Sequence, residues 1–314
     1  MIDHTISNYY DIPENCVPSH RQLEFKRLMS QTTMQERETA YALARYVFSG
    51  DGEIFDVGAA AGGSSYCFAA GVLDSEIANK RQRVVALDKF DGYSMRAFQQ
   101  RITPDLNIRD DMALFRYQTM PVADALDPIR IDLNVQFPGF RNKTVIEIAH
   151  IDAAKTLETW RAIVSRLLET IIPGKTVWIF QDFVRIRLPW HAYAIAEIEP
   201  FGHLIGGSLL GTLYFLFDKP PSSQVAQRLA KDAFTLEQKV TNVNKTFTLV
   251  EEQLPHIFGE NLAINDLHLG TRAYCHFWFG NKEEARSVFR STSSEFRSLP
   301  GVAMYKEELG VAAE

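Results

Sequence analysis

The first regular pattern along the chain is an amphipathic helix that leads into a buried strand. Thr33 and Glu36 match the capping box that begins a helix, apolar residues follow at helical spacing, and Gly50 comes where this helix is expected to end. The next stretch, EIFDVG at 53–58, predicts a short buried strand. It continues into the small residues AAAGGSS and then into YCFAAGVL, whose apolar residues indicate a helix. The pattern therefore predicts a strand, a glycine loop and a second helix.

Four further apolar runs predict more strands, with helical patterns between them. The runs are VVALD at 84–88, LFRYQ at 114–118, TVIEIAHID at 144–152 and TVWIFQDF at 176–183. Between the last two, apolar residues keep a helical period from Leu157 to Ile171, and the Pro173-Gly174 pair ends that helix. Because parallel strands require crossover connections, this alternation predicts a doubly wound, mostly parallel, Rossmann-like α/β sheet. Its ligand is expected at the carboxyl ends of the strands.

The C-terminal third of the sequence has a different pattern. A helix is predicted from Leu188 to Ile198, and GHLIGG and LLGTLYFLFD then predict two strands that close the sheet in antiparallel fashion near Asp218. From Ser222 onward the apolar residues recur only at helical spacing, which predicts helices at about 225–240, 247–254 and 285–289. We therefore divide the chain into an N-terminal helical segment (1–50), a ligand-binding domain (51–218) and a helical extension (219–314). The apolar faces of the extension are expected to be buried on the sheet domain or across a homodimer.

Composition and charge narrow the classes of partner. Apolar residues make up 46% and charged residues 23% of the 314 residues, which is typical of a soluble globular protein. The net charge is -6 and no basic run is present, so neither nucleic acid nor an anionic membrane is expected as a partner. The three cysteines are far apart, which favours a reducing cytoplasmic location. The longest apolar stretch, 201–217, is shorter than the roughly 20 residues of a membrane-spanning helix. A small-molecule ligand fits this composition.

The glycine loop is the first candidate for chemistry. Gly58, Gly62 and Gly63 have the spacing G-x-x-x-G-G, which differs from the G-x-G-x-x-G that seats the pyrophosphate of NAD. Asp56 precedes the loop, and an acid at this place favours a cationic nucleoside over NAD. Asp88 ends the second predicted strand, where a carboxylate can accept hydrogen bonds from both hydroxyls of a ribose. The alternative for Asp88 is an ordinary cap of the turn that follows it.

These residues make the sequence similar to the class I S-adenosylmethionine-dependent methyltransferases. EIFDVGAAAGGSS resembles the first motif of that family, VVALD resembles the second, and TVIEIAHID with IPGKTVWIFQDF resembles the later strands. The resemblance covers about residues 35–218. It implies that S-adenosylmethionine binds along the glycine loop and at the end of the second strand. The implied contacts are Asp56, Gly58, Gly62, Ser64, Ser65 and Asp88.

Residues 150–183 resemble, more narrowly, the macrocin O-methyltransferase-like branch. Members of that branch methylate hydroxyls of sugars and glycosylated natural products with the help of a divalent metal. The resemblance implies a metal such as Mg²⁺ held by Asp152, Gln181 and Asp182, although Gln181 and Ala154 stand where the branch has acids. Two carboxylates at neighbouring strand ends repel each other unless a cation lies between them, which also favours a metal. The alternative is that Asp152 and Asp182 only cap helices.

Transfer of a methyl group to a hydroxyl also requires that the hydroxyl lose its proton. Asp152, through the metal, and His191, which follows the fifth strand, are the catalytic candidates; a metal that lowers the pKa of the hydroxyl would make a strong base unnecessary. We therefore expect an O-methyltransferase that acts on a small hydroxylated molecule, a sugar or glycosylated metabolite.

Two alternative functions stay open. Gln181 and Ala154 would also suit a protein of this fold that binds a cofactor or partner without turnover. A nicotinamide-dependent oxidoreductase fits less well, because the glycine spacing differs and no Tyr-x-x-x-Lys pair follows the fourth strand.

Overall fold

The central sheet confirms the fold class predicted from the sequence. The computed structural model describes residues 16–91, 110–134, 145–183, 185–208, 211–254 and 264–311. In this part of the chain the strands are β1 (Glu53–Val57), β2 (Val84–Asp88), β3 (Leu126–Arg130), β4 (Ile146–Ile151), β5 (Val177–Phe180), β6 (Gly202–Gly207) and β7 (Leu213–Phe217). They form one sheet in the order β3-β2-β1-β4-β5-β7-β6. The pairs from β3 to β5 are parallel, and β7 is antiparallel to both of its neighbours. The protein is thus a doubly wound, mostly parallel α/β protein with an antiparallel closing strand.

Helices cover both faces of this sheet. Those of the N-terminal part and the α/β part are α1 (Ser19–Arg27), α2 (Met34–Ala42), α3 (Gly63–Asp74), α4 (Asp111–Thr119), α5 (Leu157–Leu167) and α6 (Pro189–Ile198). Because successive residues of a strand point to opposite faces, Ile54 of β1 packs in one core with α2 and α3, whereas Phe55 and Val57 pack in another with α5 and α6. This alternation decides which polar residues at the strand ends can meet.

The predicted helix at the N-terminus begins where its cap indicates. The Thr33 hydroxyl accepts a hydrogen bond from the Glu36 backbone N–H at 3.2 Å, and the Glu36 carboxylate accepts one from the Thr33 N–H at 2.7 Å. Both halves of the capping box are therefore present. α2 ends at Ala42, and a π-helical turn over Leu43–Val47 continues it toward Gly50.

The prediction of a strand at LFRYQ is wrong. These residues lie in α4, where Met112, Phe115 and Thr119 are buried at helical spacing. The third strand is β3, whose sequence LDPIR contains Pro128 and was not recognised as a strand. In the described residues β3 pairs only with β2, and proline is tolerated in an edge strand because half of its backbone groups need no partner.

The helical extension packs against the sheet domain. Its helices are α7 (Ser223–Lys231), α8 (Leu236–Gln253), α9 (Ile264–Trp278), α10 (Lys282–Arg290), α11 (Ser294–Ser298) and α12 (Pro300–Leu309). The helix predicted at 225–240 is divided, because Asp232 has a left-handed backbone with φ of 52° that ends α7. Val243, Phe247 and Val250 of α8 share a core with α5 and α6. The domain boundaries at residues 50 and 218 stay predictions.

None of the helices in the described residues has both the length and the apolar character required to cross a membrane.

Candidate functional site

The glycine loop lies at the carboxyl edge of the sheet, between β1 and α3. Gly58 and Gly62 have left-handed backbones, with φ of 106° and 88°, and a Cβ added at Gly58 would lie 2.7 Å from the backbone nitrogen of Ala153 after β4. A Cβ at Gly62 would meet Phe115 and Thr119 of α4. Gly58 therefore allows the close approach to β4, and Gly62 allows the close approach to α4.

Asp88 joins the end of β2 to this loop. One carboxylate oxygen accepts a hydrogen bond from the Ala60 N–H at 2.9 Å, and the other accepts one from the Phe90 N–H at 2.8 Å. The second of these bonds is the turn cap considered as the alternative role for Asp88. Burial raises the pKa of Asp88, against these two hydrogen bonds. Because each carboxylate oxygen has a second lone pair, Asp88 keeps the capacity to accept further hydrogen bonds.

A segment from the N-terminal part of the chain covers the glycine loop. We call Met29–Thr32 the covering segment. Gln118 of α4 holds it to the loop: its amide nitrogen donates to the backbone oxygens of Met29 at 3.1 Å and Ala61 at 2.8 Å. The Gln118 amide oxygen accepts from the Met29 N–H at 2.7 Å. The hydrogen bonds of Gln118 therefore fix the position of the covering segment over the glycine loop.

A small cavity of about 30 Å³ lies between the covering segment and the glycine loop. Gly58 and Ser64, both predicted to bind the cofactor, line it, and so does Asp152 from the end of β4. The same space is thus bordered by the predicted cofactor loop and by a predicted catalytic residue.

Asp56 and Ser65 do not line this cavity. The Asp56 side chain is fully buried and accepts hydrogen bonds from the hydroxyls of Ser64, at 2.7 Å, and Ser65. The Nδ1 of His150 donates to its other oxygen at 2.8 Å. Burial on its own would raise the pKa of Asp56, but the His150 ion pair and the two hydroxyls lower it. The acid therefore fixes the first turn of α3 to β4, beneath the loop.

The buried network continues from His150 to β5, β7 and α2. Burial alone would lower the pKa of His150, but Asp56 raises it to about 9, so both ring nitrogens carry hydrogens at neutral pH. Nε2 of His150 donates to the amide oxygen of Gln181 at 3.2 Å, and the amide nitrogen of Gln181 donates to Glu36 at 2.9 Å. The hydroxyl of Thr212 also donates to Glu36, at 2.7 Å. Gln181 is therefore an interior residue of this network.

The structure brings together only two of the three predicted metal ligands. The Lys155 ammonium lies 2.5 Å from a carboxylate oxygen of Asp152 and also forms an ion pair with Asp182. The guanidinium of Arg185 contacts Asp182 at 3.0 Å. Gln181 instead points into the buried network, where it contacts His150 and Glu36. Asp182 lies in the turn after β5, and its left-handed backbone, with φ of 62°, directs its side chain elsewhere. In the described ranges no group of three His, Cys, Asp or Glu side chains could hold a metal ion.

His191 lies in the core rather than at the strand ends. Its side chain is 1% exposed, and its ring packs against Trp160 and Phe180 at centroid distances of 5.3 and 5.9 Å. Neither ring nitrogen has a hydrogen-bond partner among the described residues. Burial lowers the pKa of His191 to about 3, so the ring is neutral at pH 7. The ring does not line the cavity beside Asp152.

Sequence reasoning did not find Lys155, Gln118 or the covering segment. Lys155 follows Asp152 by three residues, and that spacing was the available signal for an ion pair. Gln118 fell in the run assigned to a strand. The sequence predicts Glu36 as part of a helix cap. The same carboxylate also accepts a hydrogen bond from Gln181 in the buried network, which the cap pattern does not reveal.

Comparison with known proteins adds no family. No protein-family model matches the chain, and the search of curated proteins returned no match either.

Proposed function

We propose that this protein is an S-adenosylmethionine-dependent methyltransferase that acts on a hydroxyl of a small molecule, a sugar or glycosylated metabolite. The observation that supports this best is the cavity that Gly58, Ser64 and Asp152 line together. A methyl donor along the glycine loop would place its reactive end beside Asp152. Methyl transfer requires that the donor carbon and the acceptor oxygen meet in line at about 3 Å. A cavity of about 30 Å³ holds little more than a water molecule, so the covering segment would have to move away from the glycine loop for the two molecules to bind.

The cofactor would be held by backbone groups of the loop and by Asp88. Asp88 would accept hydrogen bonds from the ribose hydroxyls through the lone pairs that Ala60 and Phe90 leave free. Asp56 acts indirectly, since its bonds to Ser64 and Ser65 fix the start of α3 below the loop. Bound S-adenosylmethionine supplies the activated methyl group.

The acceptor would bind beside the cluster formed by Asp152, Lys155 and Asp182. Lys155 has three N–H donors, and in the described residues two of them are used by the two carboxylates, so the third can donate to the acceptor oxygen. Asp152 uses one carboxylate oxygen for Lys155, and its other oxygen is the candidate proton acceptor. A divalent metal does not fit this set of donors, because in the part of the chain that the structure describes only two carboxylates converge here and an ammonium already lies between them. The buried His191 has no part in this proposal.

Binding of S-adenosylhomocysteine, the product form of the cofactor, tests the proposal. We expect calorimetric titration to detect binding to the parent, and Asp88→Asn to weaken it by about 10- to 150-fold, which corresponds to the roughly 1.5–3 kcal/mol of a lost hydrogen bond to a charged group. Asp218→Asn is the matched control, because Asp218 also follows a strand but lies at the opposite edge of the sheet, after the antiparallel β7. Equal binding by the parent and Asp88→Asn would exclude the ribose contact, and no binding by the parent would exclude the proposed cofactor.

A protein that binds the cofactor without turnover is the second candidate. The ion pairs that occupy Asp152 and Asp182 favour it, since both carboxylates are engaged before any acceptor binds. Release of S-adenosylhomocysteine from S-adenosylmethionine, measured with a panel of sugars and glycosides, separates the two candidates. Release above the acceptor-free rate supports the transferase, and tight binding without release across the panel supports the binding protein.

A further inference from the structure

We propose that Lys155 is the resident cation of this site and that its ammonium takes the place of a divalent metal between Asp152 and Asp182. This inference rests on the proposed function, because it describes the site at which the acceptor of that function would bind. The ion pairs themselves do not depend on the proposed function. Lys155 neutralises Asp152 and Asp182, so the parent should bind no divalent metal between them.

The contacts show that one ammonium serves both carboxylates. The Lys155 nitrogen is 2.5 Å from an oxygen of Asp152 and pairs with Asp182 as well. The side chains of Asp152 and Asp182 are 26% and 16% exposed, so the pair is partly removed from water and its repulsion is less screened than on an open surface. A cation that contacts both carboxylates offsets the repulsion between them. Lys155 is such a cation.

The charges of the cluster also argue against a metal. Asp152 and Asp182 contribute two negative charges, and Lys155 and Arg185 contribute two positive charges. A divalent cation would therefore meet a cluster with no net negative charge, and it would have to displace the ammonium to reach the carboxylates. Gln181 cannot compensate, because its amide oxygen accepts from His150 and its amide nitrogen donates to Glu36.

The two departures from the macrocin-like pattern fit the same explanation. Ala154, where the resemblance implies an acid, is buried in the core, and Gln181, where it implies another, points away from Asp152 and Asp182. A site with fewer acids holds Mg²⁺ or Mn²⁺ less well, since these ions select sets of oxygen ligands. The two remaining carboxylates, Asp152 and Asp182, carry two negative charges, which equal in number the positive charges of Lys155 and Arg185.

Binding of Mn²⁺ alone, followed by water-proton relaxation, tests this inference without any acceptor. We expect Lys155→Ala to bind Mn²⁺ at least about tenfold more tightly than the parent, because the removal of the ammonium exposes two converging carboxylates. The double variant Lys155→Ala with Asp182→Asn should lose the gained binding. Thermal melting of each variant checks that it is folded, which we expect because Lys155 is 40% exposed.

Lys175→Ala is the matched control. Lys175 is also 40% exposed and forms an ion pair with Asp51 at the amino ends of the strands, opposite to the candidate site, so its removal should leave Mn²⁺ binding unchanged. The inference is overturned if the parent binds Mn²⁺ as tightly as Lys155→Ala, or if Asp182→Asn alone weakens Mn²⁺ binding by the parent.

Titration with S-adenosylhomocysteine keeps this inference separate from the proposed function. We expect Lys155→Ala to bind S-adenosylhomocysteine within about twofold of the parent, because Asp88 and the glycine loop are unchanged. A parent that fails to bind S-adenosylhomocysteine would refute the proposed function, whereas the Mn²⁺ result would still decide which cation neutralises the acidic pair.

Discussion

Replacement of His150 by alanine is expected to lower the free energy of unfolding by about 3–5 kcal/mol, the cost of breaking a buried ion pair by removing one partner. The ring is 4% exposed and lies 2.8 Å from Asp56, which is fully buried. Without the imidazolium, Asp56 would keep only the Ser64 and Ser65 hydroxyls as partners for a buried charge. Gln181 would also lose the donor to its amide oxygen. Urea unfolding at pH 7 measures the loss.

The pH dependence of stability distinguishes this ion pair from simple packing. The pKa of His150 is raised from 6.5 in the unfolded chain to about 9, so its stabilisation is fully present below pH 6.5 and is lost as the pH rises toward 9. The pKa of Asp56 is lowered, so its stabilisation is present above about pH 3.8 and is lost as the pH falls through the folded-state pKa. We therefore expect the parent to lose stability between pH 6.5 and 9 and His150→Ala to lose less over the same interval.

His203→Ala is the control for the loss of a histidine. His203 also pairs with an aspartate, Asp218, at 3.2 Å, but its side chain is 46% exposed. An exposed pair contributes about 0–1 kcal/mol, so this variant should unfold almost as the parent does. If His150→Ala were no less stable than His203→Ala, or kept the alkaline slope of the parent, the buried ion pair would not have the role assigned to it.

The strands next to the glycine loop could be predicted closely because their sequences carry two signals at once. EIFDVG and VVALD are buried on both faces, so they are nearly continuous apolar runs, and each ends in residues that leave the sheet. The third strand carries neither signal. LDPIR is an edge strand with a proline and partly exposed residues, while LFRYQ is apolar enough to resemble a strand although it packs as a helix. GHLIGG, at the other edge of the sheet, was predicted correctly, so the weak point is an edge strand that also contains a proline and partly exposed residues.

The sequence predicts which acidic residues lie at the candidate site, but not which side chains they contact. Asp152 and Asp182 do converge, as expected for residues that follow adjacent parallel strands. Gln181 does not join them, because it contacts the buried network and the chain turns after it at Asp182, whose left-handed backbone has a φ of 62°. Lys155 was missed because a long flexible side chain can reach partners that spacing does not specify. For His191 the sequence predicts a place after the fifth strand, but that place does not indicate whether the side chain is buried.

Truncation after Asp218 is expected to abolish the soluble monomer. The extension covers the outer face of α6 and the residues before it: Phe247 packs on Phe183 at a ring distance of 5.5 Å, and the Thr246 hydroxyl donates to the Ala192 oxygen at 2.6 Å. Removal of α7 to α12 would expose this apolar surface, which on a monomer leads to association or aggregation. Size-exclusion chromatography and thermal melting of the chain 1–218 measure the outcome. A soluble, monomeric 1–218 chain as thermally stable as the parent would show that the extension is an independent unit.

Phe247→Ala tests the same interface in the intact chain. Phe247 is 2% exposed, and truncation of a buried phenylalanine costs about 3–5 kcal/mol because it leaves a cavity as well as losing buried area. Thr248→Ala is the control, since Thr248 is the next residue of α8 and is exposed, so its replacement should change the free energy of unfolding by less than about 0.5 kcal/mol. If α8 and the sheet domain share one core, Phe247→Ala should lower the midpoint of a single cooperative transition. Two separate transitions, of which only one responds to Phe247→Ala, would mean that the extension unfolds by itself and that its contact with Phe183 contributes little to the sheet domain.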